Sequence, residues 1–186
     1  RTIPVMCYGN DAIITGNAVP GLYDLRIIAR SSSGYHSWIE PKSVFLGDSS
    51  RTVRIVQLTD IHLGLANKPE NREGFIKLLE SAQMEEPTMI VITGDVSDAA
   101  QYYPDDYAFL RSTLIEHAEC PVFVIPGNHD SQRAGKVVGK EMWTEFFGEL
   151  YFSFEWGGWR YIFMDTGDSD YGLVSGMVSE EQMDWL

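Results

Sequence analysis

Three largely apolar, β-branched runs in this chain each stop at a polar block. Residues 53–58 lead into Asp60-Ile61-His62, residues 89–93 into Gly94-Asp95, and residues 122–125 into Gly127-Asn128-His129-Asp130. Short apolar runs of this kind read as strands covered on both faces. Between them, residues 72–84 have helical spacing through Phe75, Leu78, Leu79 and Ala82, and residues 107–117 also read as helix. Strands alternating with helices predict an α/β fold with a parallel sheet. Such sheets place their sites at the carboxyl ends of the strands, so the three polar blocks should converge on one edge.

Convergence at that edge has a chemical requirement. Asp60 and Asp95 side by side would repel unless positive charge lay between them, and a divalent cation supplies it compactly. Aspartate oxygen, histidine nitrogen and asparagine amide oxygen suit Mn, Fe or Zn, whereas a thiolate site would need cysteine. Asp95 can bridge two ions. Gly94 and Gly127 stand where a strand turns into a loop, which favours positive φ and close backbone approach.

These blocks resemble the signature of the calcineurin-like metallophosphoesterases, DxH, then GDxxD, then GNH followed by Asp or Glu. The matching residues are Asp60-Ile61-His62, Gly94-Asp95-Val96-Ser97-Asp98 and Gly127-Asn128-His129-Asp130, in the family's order. The resemblance covers roughly residues 51–186. It implies two divalent metal ions, with Asp60 and His62 on the first, Asp95 bridging both and Asn128 on the second. It further implies that the ions clamp a phosphate ester and generate a bridging hydroxide that attacks in line at phosphorus. His129 would protonate the leaving oxygen or stabilise its charge, and Asp98 would orient His129. As an alternative, Asp98 caps the segment that follows it. Asp130 would support the site through hydrogen bonds.

The family also uses a later histidine and a closing GHxH motif, which are expected beyond Leu186. His36 and His117 precede that place and are assigned to a strand surface and a helix terminus. Position 99 is Ala, where protein serine/threonine phosphatases have Arg, and position 98 is Asp, where purple acid phosphatases have Tyr. The first departure disfavours the protein phosphatases; the second departs from the purple acid phosphatases, which the β-rich N-terminal part resembles in layout alone. A phosphodiester or nucleotide is expected slightly ahead of small monoesters. The rival from another class is a non-catalytic scaffold that retains the fold and binds a partner.

The first fifty residues have a different grammar. Strand-like runs over 13–18, 22–29 and 38–46 are separated by Gly, Pro, Ser and Asn clusters, predicting a small β-sandwich-like module or a strand-rich extension. Gly47-Asp48-Ser49-Ser50 suits a linker, so the expected division is 1–50 for the β-rich module and 51–186 for the metallophosphoesterase portion. Residues 151–154 and 160–164 flank Gly157-Gly158, the pattern of a hairpin. Ser179 with Gln182 three residues on is a capping-box signature, followed by Met183, Trp185 and Leu186 as an apolar face. A helix of about two turns is marginal alone, so native sequence is expected to continue. The chain by itself is then expected to bind metal weakly, to hydrolyse esters poorly and to self-associate through an uncovered sheet edge.

Bulk properties narrow the partners. Twenty-seven acidic against fourteen basic side chains give a net charge of −13, which opposes bulk attraction to nucleic acid or an anionic membrane. No run is long and apolar enough for a membrane span. The two cysteines, Cys7 and Cys120, lack CxxC spacing, so neither a zinc nor a redox site is expected from them. The start at Arg1 shows neither initiator methionine nor signal peptide, and with the β-rich module points toward an exported protein, a cytoplasmic one remaining open. Gly135-Lys136 and Gly139-Lys140 echo a phosphate loop, but the GxxxxGK[ST] spacing fails. Arg133 and Lys136 read as solvated loop charges that could also touch substrate. Trp143, Phe146 and Phe147 at helical spacing read as core ahead of a base-stacking platform.

Overall fold

The structure, a computed structural model, describes residues 3, 5–8, 11–14, 18–50, 52–64, 69–99, 104–134, 137–167 and 176–186. Lys136 lies outside the described residues, as does part of the expected strand over 13–18. The chain divides into two compact units, Arg1–Asp48 and Ser49–Leu186.

In the first unit, strands β1 (Val5–Tyr8) and β2 (Asp11–Ile14) pair antiparallel. Strands β3 (Gly21–Ser31) and β4 (Gly34–Leu46) form a long hairpin with a bulge between Tyr23 and Leu25. The serine-rich stretch that ends β3 supplies the turn, where the Ser31 hydroxyl bonds Ser33 at 2.7 Å and His36 Nε2 at 2.9 Å. Among the described residues these strands form two two-stranded sheets, β1 with β2 and β3 with β4.

The second unit carries the parallel sheet. Strands β5 (Ile55–Leu58), β6 (Met89–Thr93) and β7 (Val122–Ile125) lie in that order, with Ile55 beside Met89 and Ile90 beside Val122. Helix α1 (Pro69–Met84) and helix α2 (Pro104–His117) make the two crossovers. Helix α2 opens with proline and two acids and closes on His117, complementing its dipole at both ends. A two-residue ribbon, β8 (Arg133–Ala134) with β9 (Val137–Val138), leads into helix α3 (Gly139–Phe147). Strands β10 (Phe152–Trp156) and β11 (Trp159–Phe163) form a hairpin whose turn residues Gly157 and Gly158 have φ of 60° and 78°. Only glycine adopts that pair of values cheaply, which is why the sequence marks this turn so clearly. Helix α4 (Glu180–Trp185) follows.

The core joins the sheet to its helices. Ile90 and Ile92 of β6, Leu79 of α1, Tyr107 and Leu110 of α2 and Trp143 of α3 are all fully buried. The Tyr107 ring meets Trp143 edge-on at 5.5 Å, with Phe146 and Phe147 at similar distances, so the aromatic run of α3 is core, as its spacing predicts. Truncating a residue such as Ile92 to Ala should cost about 2–5 kcal/mol through lost transfer energy and the cavity left behind.

Cys120, the residue before Pro121 and β7, is buried, and burial pushes its thiol up to about 11. At pH 8 only about a thousandth of it would be thiolate, the reactive form. In a Cys7→Ser background, where Cys120 is the remaining thiol, modification by a disulfide reagent at pH 8 should be slow until denaturant unfolds the protein. Rapid labelling of the native state would contradict that burial.

Candidate metal centre

The loops after β5, β6 and β7 are laced together by backbone hydrogen bonds and two carboxylates. The N–H groups of Asp60, His62 and Leu63 donate to the carbonyls of Gly94, Asp95 and Val96 at 3.2, 2.9 and 2.9 Å. These bonds tie the loops together past the strand ends and hold the first polar block against the second. Asp95 Oδ1 accepts the N–H of His129 at 2.9 Å, tying the second block to the third.

Asp130 completes the lacing from beneath. Its fully buried carboxylate accepts the N–H groups of Gly127, Val96 and Ser97 at 2.9, 3.2 and 3.2 Å and the Tyr107 hydroxyl at 3.0 Å. Burial pushes Asp130 up to about 6, against the pull of those donors. Burial and the neighbouring Asp130 push the Tyr107 hydroxyl up as well, so it stays a donor. A second buried acid, Asp106, accepts the Ser97 hydroxyl at 2.8 Å and pairs with Arg72 at 3.1 Å. From α1, the Asn71 amide donates to the His62 carbonyl at 3.1 Å.

This lacing forces an uncommon backbone. Asp60, His62 and Asp95 have φ of 55°, 47° and 50°, three of the five non-glycine residues with positive φ among those described. Left-handed backbone costs an L-residue roughly 1–2 kcal/mol, less for short polar side chains such as Asp. Three such residues within one loop cluster are characteristic of a site whose geometry is imposed by its surroundings. Gly94 has φ of 98°, and a Cβ there would lie 2.5 Å from the Gly127 Cα. At Gly127 the requirement is close approach, because a Cβ would fall on the Asp95 carboxylate and amide.

Gly127→Ala is accordingly expected to displace the Asp95 carboxylate and lower the melting temperature by several degrees, since overpacking costs about 1–3 kcal/mol. Metal affinity should fall at least tenfold by titration. An alanine variant with unchanged affinity would show that Asp95 can move without consequence.

The four residues expected to hold metal come together at this edge. Asp60, Asp95 and Asn128 line one open cleft of about 560 Å³, together with Thr59, Thr93, Ile125, Pro126, Gly127, Met164, Thr166, Gly167 and Gly176. His62 Nε2 lies 4.0 Å from Asp60 Oδ1 and 3.9 Å from Asp95 Oδ2. Those separations are too long for hydrogen bonds but suit groups flanking a cation. The basic group facing both carboxylates is thus an imidazole, cationic only when protonated. His62, Asp95 and His129 each offer a ligand atom within 4.8 Å of the others.

The pair expected to act as acid and orienter is arranged differently from the simplest reading. His129 Nδ1 meets the backbone carbonyl of Asp98 at 2.5 Å, whereas the Asp98 carboxylate stands 3.7 Å from it. The same carboxylate comes nearer to His62 Nδ1, at 3.3 Å, without forming a hydrogen bond to it. The His62 and His129 rings meet edge-on at 4.8 Å. Asp98 therefore stands between both imidazoles.

Several residues of this site carry little sequence signal. Asn71, Arg72, Ser97, Asp106 and Tyr107 look like ordinary helix and loop residues, and only their contacts reveal them. Gln182 carries a misleading signal. Its N–H does donate to the Ser179 cap at 3.2 Å, but its side chain does not return to the cap. It turns inward to Asp165, so the capping box is half formed.

A cleft at the carboxyl edge of a parallel sheet, lined by carboxylates and an amide with imidazoles alongside, defines an α/β protein with a candidate cation site. The model of calcineurin-like phosphoesterases matches residues 53–186, and the chain belongs to that family. Among curated relatives, it is similar to a probable cyclic nucleotide phosphodiesterase of Fibrobacter succinogenes, 29% identical over 140 residues, 73% of this chain and 51% of the relative. It is also similar to a probable glycerophosphodiester phosphodiesterase of Arcobacter nitrofigilis, 29% identical over 140 residues, 71% of this chain and 50% of the relative. The chain spans about half the length of these relatives. Among solved structures, a purple acid phosphatase from yellow lupin seeds aligns with a TM-score of 0.46 at 16% identity, covering 74% of this chain and 28% of that one. Among the described residues no helix is long and apolar enough to cross a membrane.

Proposed function

We propose that the second unit supplies one side of a metal-dependent active site that hydrolyses phosphate esters, with phosphodiesters or nucleotides ahead of monoesters. The observation that carries this reading is the gathering of Asp60, His62 and Asp95 at one strand edge in left-handed backbone, beside Asn128. Family membership and the phosphodiesterase names of the relatives support the reaction class. Ala99, in place of an arginine, supports a substrate other than a phosphoprotein.

The donor set fits divalent Mn, Fe or Zn: carboxylate, imidazole and amide, with no thiolate. In this reading Asp60 and His62 would hold one ion, Asn128 would hold the other, and Asp95 would contribute to both. Two bound ions would supply Lewis acidity and an activated water for in-line displacement at phosphorus. The chain's own residues do the rest. The Asp98 carbonyl can only accept, so it fixes a proton on His129 Nδ1 and leaves Nε2 for the leaving oxygen. To act as an acid, His129 must carry a proton on both nitrogens, and the Asp98 carboxylate stands 3.7 Å from Nδ1. Asp130 and Tyr107 hold the loops still while the proton moves.

The test is hydrolysis of bis(p-nitrophenyl) phosphate and p-nitrophenyl phosphate by the intact protein in Mn, before and after chelation. Diester turnover that EDTA abolishes and Mn restores is expected. Tight metal binding with no turnover of either ester would favour the non-catalytic scaffold instead.

A further inference from the structure

Among the described residues outside the metal centre, a polar network joins Lys140, Asp165 and Gln182. Lys140 is the second residue of α3, Asp165 follows β11, and Gln182 sits in the first turn of α4. Asp165 and Gln182 are 2% and 3% exposed. The Gln182 carboxamide pairs with both backbone groups of Asp165, accepting its N–H at 3.0 Å and donating to its carbonyl at 2.9 Å. The Asp165 carboxylate meets Lys140 Nζ at 2.6 Å and accepts the Gly167 N–H at 2.9 Å. Lys140 Nζ also donates to the Gly167 carbonyl at 2.6 Å. Three side chains thus occupy all the backbone polar groups of residues 165 and 167.

Thr166 lies between those two residues. Its carbonyl accepts the N–H of Met177 at 3.0 Å, and Gly167 bridges Gly176. Behind Gly167 stands Ser131, so close that a Cβ at 167 would strike its hydroxyl, which itself donates to the Gly127 carbonyl at 2.8 Å. Met164, Thr166, Gly167 and Gly176 form the part of the cleft lining that does not come from the three strand-end loops.

Stability is a poor explanation for this network. A buried ion pair often adds nothing over well-packed apolar residues of the same volume, because desolvation offsets the Coulomb attraction. Fully satisfied buried polar networks instead select one geometry. The geometry selected here is that of a cleft wall, reached by side chains that do not themselves line the cleft. We infer that Lys140, Asp165 and Gln182 are positioning residues that fix Thr166 and Gly167 as the wall against which the second ester group of a phosphodiester rests. The inference rests on the phosphoesterase reading and deepens it. The metal centre takes the phosphoryl oxygens, and the wall sets how well the rest of a diester is held.

The experiment compares Lys140→Met, Gln182→Met and Lys140→Arg with wild type in the intact protein. KM and kcat are measured on bis(p-nitrophenyl) phosphate and p-nitrophenyl phosphate, alongside bound metal and melting temperature. Lys140→Met and Gln182→Met should each raise the diester KM about tenfold, with kcat within about threefold and metal content unchanged. The monoester KM should move about twofold or less, and Lys140→Arg should recover most of the diester KM. A diester KM within twofold of wild type in folded variants would overturn the inference. So would loss of metal, an equal rise in both KM values, or failure of both methionine variants to fold, since each makes the network a support of the whole domain. If only one methionine variant folds, it carries the test. A wild type that turns over neither ester sinks the phosphoesterase reading, whereas an active wild type with unaltered variants sinks this inference alone.

Discussion

His129→Ala in the intact protein is expected to lower turnover about a hundred- to ten-thousandfold while leaving bound metal unchanged, the range that a positioned general acid contributes. The loss should be largest for esters with poor leaving groups, which need the proton, and smallest for nitrophenyl esters, which do not. Geometry makes the variant interpretable. The Asp95 carboxylate is held by the backbone N–H of residue 129, a bond that alanine preserves. The ring, by contrast, is held by the Asp98 carbonyl and is what the substitution removes. Because His129 also offers a nitrogen within 4.8 Å of ligand atoms on His62 and Asp95, metal analysis decides between two roles. Loss of metal would make His129 a ligand, and unchanged turnover of a poor leaving group would remove it from the chemistry.

Asp95→Asn should have the larger effect on metal. Asp95 is the buried carboxylate between the other donors, 3.9 Å from His62 Nε2 and bonded to the third loop. Asparagine keeps the oxygen that accepts the His129 N–H and tolerates left-handed φ, so the fold should survive. Removing the charge should lower metal affinity about a hundredfold or more and turnover by about a thousandfold, since in the proposed reading both ions would lose an anionic ligand. The unloaded variant should melt close to unloaded wild type, because the oxygen that accepts the His129 N–H is kept. A variant that keeps two tightly held ions would show that Asp95 does not bridge.

The parallel sheet was legible because its strands are continuous apolar runs that stop at abrupt polar blocks. Residues 53–58, 89–93 and 122–125 meet β5, β6 and β7 almost residue for residue. Turns were legible where glycine was compulsory, at Gly94 and at Gly157-Gly158. Left-handed backbone at Asp60, His62 and Asp95 was not, because the residue types there are explained by ligand chemistry and leave no trace of φ. The β8 and β9 ribbon was missed because two-residue strands have no period to read. The tip of the β3 and β4 hairpin was missed because its side chains are exposed on both faces and show no alternation of burial.

The site divided along the same line. The residues expected at the metal centre came from three adjacent motifs, so short-range sequence sufficed to name them. Their supports come from the helices outside the motifs, at separations with no fixed spacing: Tyr107 and Asp106 from α2, Arg72 and Asn71 from α1. No local pattern links Tyr107 to Asp130, or Gln182 to Asp165, because each bond depends on how two elements pack. Asp98 shows the intermediate case. Its place in the motif was evident, but its reach to His129 through the backbone carbonyl depends on the loop's conformation.

The most direct measurement is anomalous diffraction from crystals of the intact protein grown with Mn or Zn. The account predicts two peaks in the cleft, one within about 2.0–2.2 Å of Asp60 and His62 donor atoms for Zn, the other beside Asn128, with Asp95 reaching both. Peaks elsewhere on the molecule, or ions held without Asp60, His62, Asp95 or Asn128, would contradict it.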